Sequence, residues 1–132
     1  MPTIEKHLDQ VRRNEALAHR LLNEPGAVPE WAITLLFYAA VHLVEAYFAY
    51  VGVPHPDPPQ RQTHANRRRL MRERVELSDT RAIFYQLQAD SETMRYECGA
   101  ISVNEALALQ QAYEIGFAAP VRALLVSSQT QG

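Results

Sequence analysis

WAITLLFYAAVHLVEAYFAY, Trp31 to Tyr50, is an almost continuous apolar run interrupted by two ionisable side chains, His42 and Glu45. A run of this length without turn residues reads as one long helix, and its apolar character on all sides makes it a helix buried by others. Burying an imidazole and a carboxylate there costs several kcal/mol unless each finds a partner. Polar groups from neighbouring segments are therefore expected to meet them. The run also has the length of a membrane span with aromatic residues at both ends. A carboxylate near the middle of a span costs roughly 2.5–3.5 kcal/mol, so a buried central helix is the expectation and no membrane association is expected.

Working outward, the segments on either side supply amphipathic helices to cover this one. Helix 1 is expected from Thr3 to Asn23, with Thr3 as N-cap and Ile4, Leu8, Val11, Leu17 and Leu21 as its apolar stripe. Pro25 and Gly26 stop it, and Pro29 opens the central helix, which runs to about Val51. GVPHPDPPQRQT, residues 52–63, holds four prolines and reads as a stiff loop. His64 to Val75 reads as a short Arg-rich helix packing through Leu70 and Met71. Ser78 or Asp79 is expected to cap a fourth long helix that carries Ile83, Phe84, Leu87, Met94 and Cys98 and ends at Gly99, with Cys98 packed. Ser102 and Glu105 have capping-box spacing and start the last helix, which Pro120 should kink against the carbonyl of Gly116. Residues 127–132 read as a flexible tail. The result is an all-α chain, one domain over 1–132, arranged as an up-and-down four-helix bundle with a short additional helix.

Composition narrows the classes of function. The chain has 132 residues, 47% hydrophobic and 21% charged, which suits one folded domain with its own core. Its net charge of -2 gives no global attraction to nucleic acid. Twelve of the thirteen basic residues are Arg, with Lys6 the exception, a bias that coding composition explains. Cys98 stands alone, so neither an intrachain disulfide nor a paired-cysteine zinc motif can form. The N-terminal MPTIEKHLDQVRR lacks the apolar stretch of an export signal, and the cytoplasm is the expected compartment.

Three constellations could carry chemistry. On the central helix Trp31, Leu35, Tyr38, His42, Glu45 and Ala49 recur every three or four residues and form one seam, so Tyr38, His42 and Glu45 face the same way. That seam reads as a polar ladder in which Glu45 accepts from His42 and from a partner on another helix, as a ligand pocket, or as a metal site completed by His64. On the fourth helix Ser91, Arg95 and Tyr96 form a second polar group, and Arg95 is a candidate to face Glu45. Between Arg61 and Arg74 six Arg stand against the single acid Glu73, and Arg61, Arg67, Arg68 and Arg72 are candidates to contact phosphates. Cofactors are not expected, and His7, His19 and His55 read as surface or loop residues.

The central run, the proline loop, His64 with its Arg cluster and then YQLQADSETMRY together resemble the HEPN superfamily of helical domains, over roughly Asn14 to Ile101. The resemblance implies the bundle described above, commonly as a homodimer, in nucleic-acid metabolism, toxin–antitoxin pairs with a nucleotidyltransferase-type partner, and phage defence. Many members are metal-independent ribonucleases with an Arg, four to six residues, then a His on the late helix. Carried over, the Arg is Arg95, and the His would stand at position 100, 101 or 102, where this chain has Ala100, Ile101 and Ser102. Arg12 and Arg13 precede His19 at permitted spacings, a match that chance explains. The expectation is a non-catalytic module that binds a nucleotide, RNA or a partner through Tyr38, His42, Glu45, His64, Ser91, Arg95 and Tyr96. Two alternatives stand beside it: a ribonuclease with an altered site on His42 or His64 with Arg95, and a metal-dependent bundle enzyme on His42, Glu45 and His64.

Overall fold

A computed structural model describes residues 2–130, with side chains through Val126, and all its regular structure is helical. Local chemistry sets most helix ends. Thr3 caps α1 (Ile4–Asn23), its hydroxyl accepting from the Lys6 N–H at 3.2 Å. Pro29 begins α2 (Pro29–Val51), and Gly52 ends it in the left-handed region at φ 82°, where a side chain would be strained. Thr63 caps α3 (His64–Arg72) by accepting from the Asn66 N–H. Then come α4 (Arg81–Tyr96) and α5 (Val103–Tyr113), the latter opened by the Ser102–Glu105 capping box.

Two ends differ from expectation. α3 stops at Arg72, and a 3-10 turn (Val75–Thr80) absorbs Ser78 and Asp79, so neither caps α4. Thr80 occupies the cap position, but its hydroxyl donates backwards to the Leu77 carbonyl at 2.7 Å. At the other end α4 finishes at Tyr96 and not at Gly99, and Cys98 is exposed, with a φ of 53°. The N–H groups of Glu97 and Gly99 both return to the Thr93 carbonyl, and a Cβ on Gly99 would collide with Thr93. Close approach reserves position 99 for glycine, and the left-handed turn falls on its neighbour.

α2 is the centre of the packing, in contact with α1, α4, α5 and the last helix, α6 (Ala119–Thr130). It is the one described helix long and apolar enough to cross a membrane, and most of its apolar stretch is covered by the rest of the chain. The rings of Phe37, Phe84, Phe117 and Tyr113 form a buried string, neighbouring centroids 5.7–6.0 Å apart, which ties α2 to α4 and to the end of α5. α1 lies against α2 through His7, Val11, Asn14, Ala18 and Leu22, a stripe rotated from the expected one; Leu17 is 40% exposed. A helix chooses its inward face by what fits beside the neighbour, and here two polar residues take core positions.

The expected kink at Pro120 takes a specific form. Residues Glu114–Ala118 make a π turn between α5 and α6, in which the Ala119 N–H donates to the Glu114 carbonyl five residues back. Proline has no N–H to donate and its ring crowds the carbonyl four residues earlier, so one widened turn moves that carbonyl aside. Glu15 fastens this region to α1, accepting from Tyr113 Oη at 2.7 Å and Arg122 Nη2 at 2.6 Å. Of the tail expected over 127–132, residues 127–130 instead continue α6, and residues 131–132 lie outside the described part.

Candidate functional site

The seam read along α2 is the helix face turned away from the core. Trp31 is 60% exposed, Ala49 is exposed, Leu35, Tyr38 and His42 are half-buried, and only Glu45 is buried. Glu45 Oε1 accepts from Arg67 Nε and from Gln62 Nε2, both at 2.8 Å. The partner of Glu45 is thus Arg67 on α3, and neither Arg95 nor His42 as expected. With both side chains 8% exposed, this is a desolvated charge pair. It removes Arg67 from the candidate phosphate contacts.

His42 pairs with a residue read as superficial. His7 on α1 is 8% exposed, and its Nδ1 lies 2.9 Å from Nδ1 of His42. Such a bond requires one ring to donate and the other to accept, so both cannot be cationic while it holds. Both pKa values are lowered from the ordinary histidine value, chiefly by burial, with Arg67 pushing the same way and Glu45 opposing. The stripe His7, Val11, Asn14, Ala18, Leu22 has helical spacing, and admitting polar residues to it would have revealed His7.

The remaining polar candidates meet in an open cleft of about 500 Å³ lined by Tyr38, His64, Glu92, Thr93, Arg95 and Tyr96 with their neighbours. Arg95 is its centre. Its Nη1 donates to Tyr38 Oη at 2.6 Å, and its Nε and Nη2 donate to the carbonyl and hydroxyl of Ser91, which is fully buried beneath it. The guanidinium also lies over the rings of Tyr38 and Tyr96, 5.3 and 5.0 Å from their centroids. These contacts hold a cation in a fixed position at the surface.

His64 packs on Phe37, and its Nδ1 is 2.9 Å from Arg67 Nη1. A guanidinium can only donate, so Nδ1 is the acceptor and the neutral ring carries its proton on Nε2. Burial, then Arg67, Arg95 and Arg68, lower its pKa against the opposing pull of Glu92. His64 is therefore a fixed N–H donor. It has no free basic nitrogen.

Tyr38, His64, Ser91, Arg95 and Tyr96 come together as expected, whereas His42 and Glu45 belong to a separate polar cluster with His7, Arg67 and Gln62. Among the described residues no three His, Cys, Asp or Glu side chains are grouped to hold a metal ion. Since Glu45 is also committed to Arg67, the arrangement contradicts the metal reading on His42, Glu45 and His64. Arg61 and Arg72 are exposed and Arg68 is half-buried, so the Arg run fans around α3. Gln62 and Glu92 were not anticipated; nothing in their spacing marks them, since their roles depend on how helices far apart in the chain meet. Compared with protein-family profiles, curated proteins and solved structures, the chain finds no match.

Proposed function

We propose that this chain is a HEPN-like module that binds the phosphate and base of a nucleotide or RNA at the Tyr38–His64–Arg95–Tyr96 cleft, without cleaving it. The observation that supports this is the Arg95 guanidinium, held on Ser91 and two tyrosine rings beside the Nε2–H of His64. A preorganised cation and a neutral N–H donor suit phosphate oxygens, and tyrosine rings suit a stacked base. Proton transfer is poorly served. His64 Nδ1 is occupied, His42 is engaged with His7, and Ala100, Ile101 and Ser102 stand where the family's motif has histidine. The resemblance further suggests an up-and-down four-helix bundle acting as a cytoplasmic homodimer, in a toxin–antitoxin or defence setting with a nucleotidyltransferase-type partner.

Calorimetry with nucleoside monophosphates and a short single-stranded RNA tests the reading. Binding should fall at least about tenfold in Arg95→Ala, equivalent to about 1.4 kcal/mol, and the RNA should be recovered intact. Sedimentation should give a dimer. The altered-ribonuclease reading has one support, that His64 and Arg95 share the cleft; it requires RNA cleavage that disappears in both His64→Ala and Arg95→Ala. Such cleavage, or the absence of all nucleotide and RNA binding, would overturn the proposal.

A further inference from the structure

The cleft has a feature that a simple phosphate site does not need. Beside Arg95 it is lined by two carboxylates, Glu92 and Glu97. These repel an anionic ligand unless one of them accepts hydrogen bonds from it. Glu92 is the better placed to do so. Its Oε1 accepts from Gln88 Nε2 at 3.2 Å, and Gln88 is 4% exposed, so a buried amide steadies the carboxylate. Tyr96 follows Glu92 by one helical turn, which separates their Cβ atoms by about 5–6 Å. The Tyr96 side chain is largely open, the residue being 75% exposed, while Arg95 lies over its ring. A flat ring stacked on the face of Tyr96 that Arg95 leaves open has Glu92 within reach of its edge and Arg95 within reach of its phosphate.

A carboxylate only accepts, and its two oxygens are matched best by an edge that presents two donors side by side. Adenine offers one amine beside an unprotonated ring nitrogen, and cytosine does the same. Uracil offers a single N–H between two carbonyls. Guanine alone presents two adjacent donors, N1–H and the N2 amine, matching the two oxygens of one carboxylate. Building on the nucleotide reading above, we infer that the cleft is selective for guanine, with Glu92 as the residue that reads the base.

Calorimetry with GMP, IMP, AMP, CMP and UMP decides it. GMP should bind at least about tenfold more tightly than AMP, CMP or UMP, a difference of about 1.4 kcal/mol. IMP, which keeps N1–H and lacks the N2 amine, should fall between GMP and AMP. Glu92→Gln, at an exposed position, should bring the ratio of GMP to AMP affinity to about one, whereas Arg95→Ala should weaken every nucleotide. If all five bind alike, or if Glu92→Gln keeps the preference for GMP, guanine selectivity is overturned while nucleotide binding stands. If none binds, both fall.

Discussion

Arg67 and Glu45 show how much a single contact across helices can decide. Each is a charge that burial would penalise alone, and together they satisfy one another, with Gln62 on the same carboxylate oxygen. Removing one side of such a pair typically costs about 3–5 kcal/mol, while replacing both with apolar residues is often neutral. Glu45→Leu and Arg67→Met should each lower the urea midpoint strongly, and the double variant should return to within about 1 kcal/mol of the parent; additive losses would show that the two do not act as a pair. The His7–His42 bond carries a pH dependence of definite sign. Their folded pKa values lie below the ordinary 6.5. Above that value the rings are neutral in both states and contribute no pH dependence. Below it the unfolded chain takes up protons that the fold resists, so stability falls with pH until the folded rings protonate as well. His55 and Arg67 add to this resistance for His7 and Glu45 opposes it. Replacing both His7 and His42 with Asn keeps a side-chain hydrogen-bonding pair without a titration, and urea unfolding between about pH 7.5 and about pH 5 should then have a shallower pH slope. An unchanged slope would assign the effect to other groups, His64 first among them. At this scale the sequence was half legible. The α2 spacing identified Tyr38, His42 and Glu45 as one face, but the partners of His42 and Glu45 lie 35 and 22 residues away, and no periodicity encodes such pairings.

Helix ends were legible wherever a local motif closes on itself, as at Thr3, Pro29, Gly52 and the Ser102–Glu105 box. They were misread at Ser78 and Asp79, whose capping chemistry is overridden by a 3-10 turn that buries Leu77. The break before Pro120 was legible in position but not in kind, because a kink and a π turn relieve the same clash. Gly116, inside that turn, illustrates what packing adds. A Cβ there would collide with Ile83 Cδ1, the end of a half-buried side chain on α4. Alanine gains about 0.8–1.0 kcal/mol of helix propensity over glycine, and an Ile forced off its rotamer loses about 0.5–1.5 kcal/mol. Gly116→Ala alone should therefore change stability by less than about 1 kcal/mol. In an Ile83→Val background, which lacks the colliding methyl, the same change should stabilise by about 1 kcal/mol. Equal effects of Gly116→Ala in the two backgrounds would mean that Cδ1 is not what holds the glycine there.

For the molecule as a whole, stability should be graded outward from α2. That helix packs against four others, so its middle amides should exchange only when the chain unfolds globally. α3 is anchored differently. It packs chiefly on the 3-10 turn that follows it, and its buried side chains are Arg67 and Met71. The polar contacts on its outer side, from Asn66 through Arg69 to Glu73, are exposed and contribute little. Native-state hydrogen exchange should therefore give α3 a smaller opening free energy than α2. This matters for the cleft, because His64 is the first residue of α3 and forms one wall of the site. A ligand held jointly by His64 and Arg95 binds only while α3 is docked, and at a hundredfold excess over its Kd it should raise the opening free energy by about 2.7 kcal/mol. With GMP as the probe, protection should increase over 64–72 as well as in the last turn of α4. Protection gained on α4 alone would confine the ligand to Arg95 and Tyr96 and remove His64 from the site, whereas equal protection of α2 and α3 without ligand would make α3 part of the global folding unit.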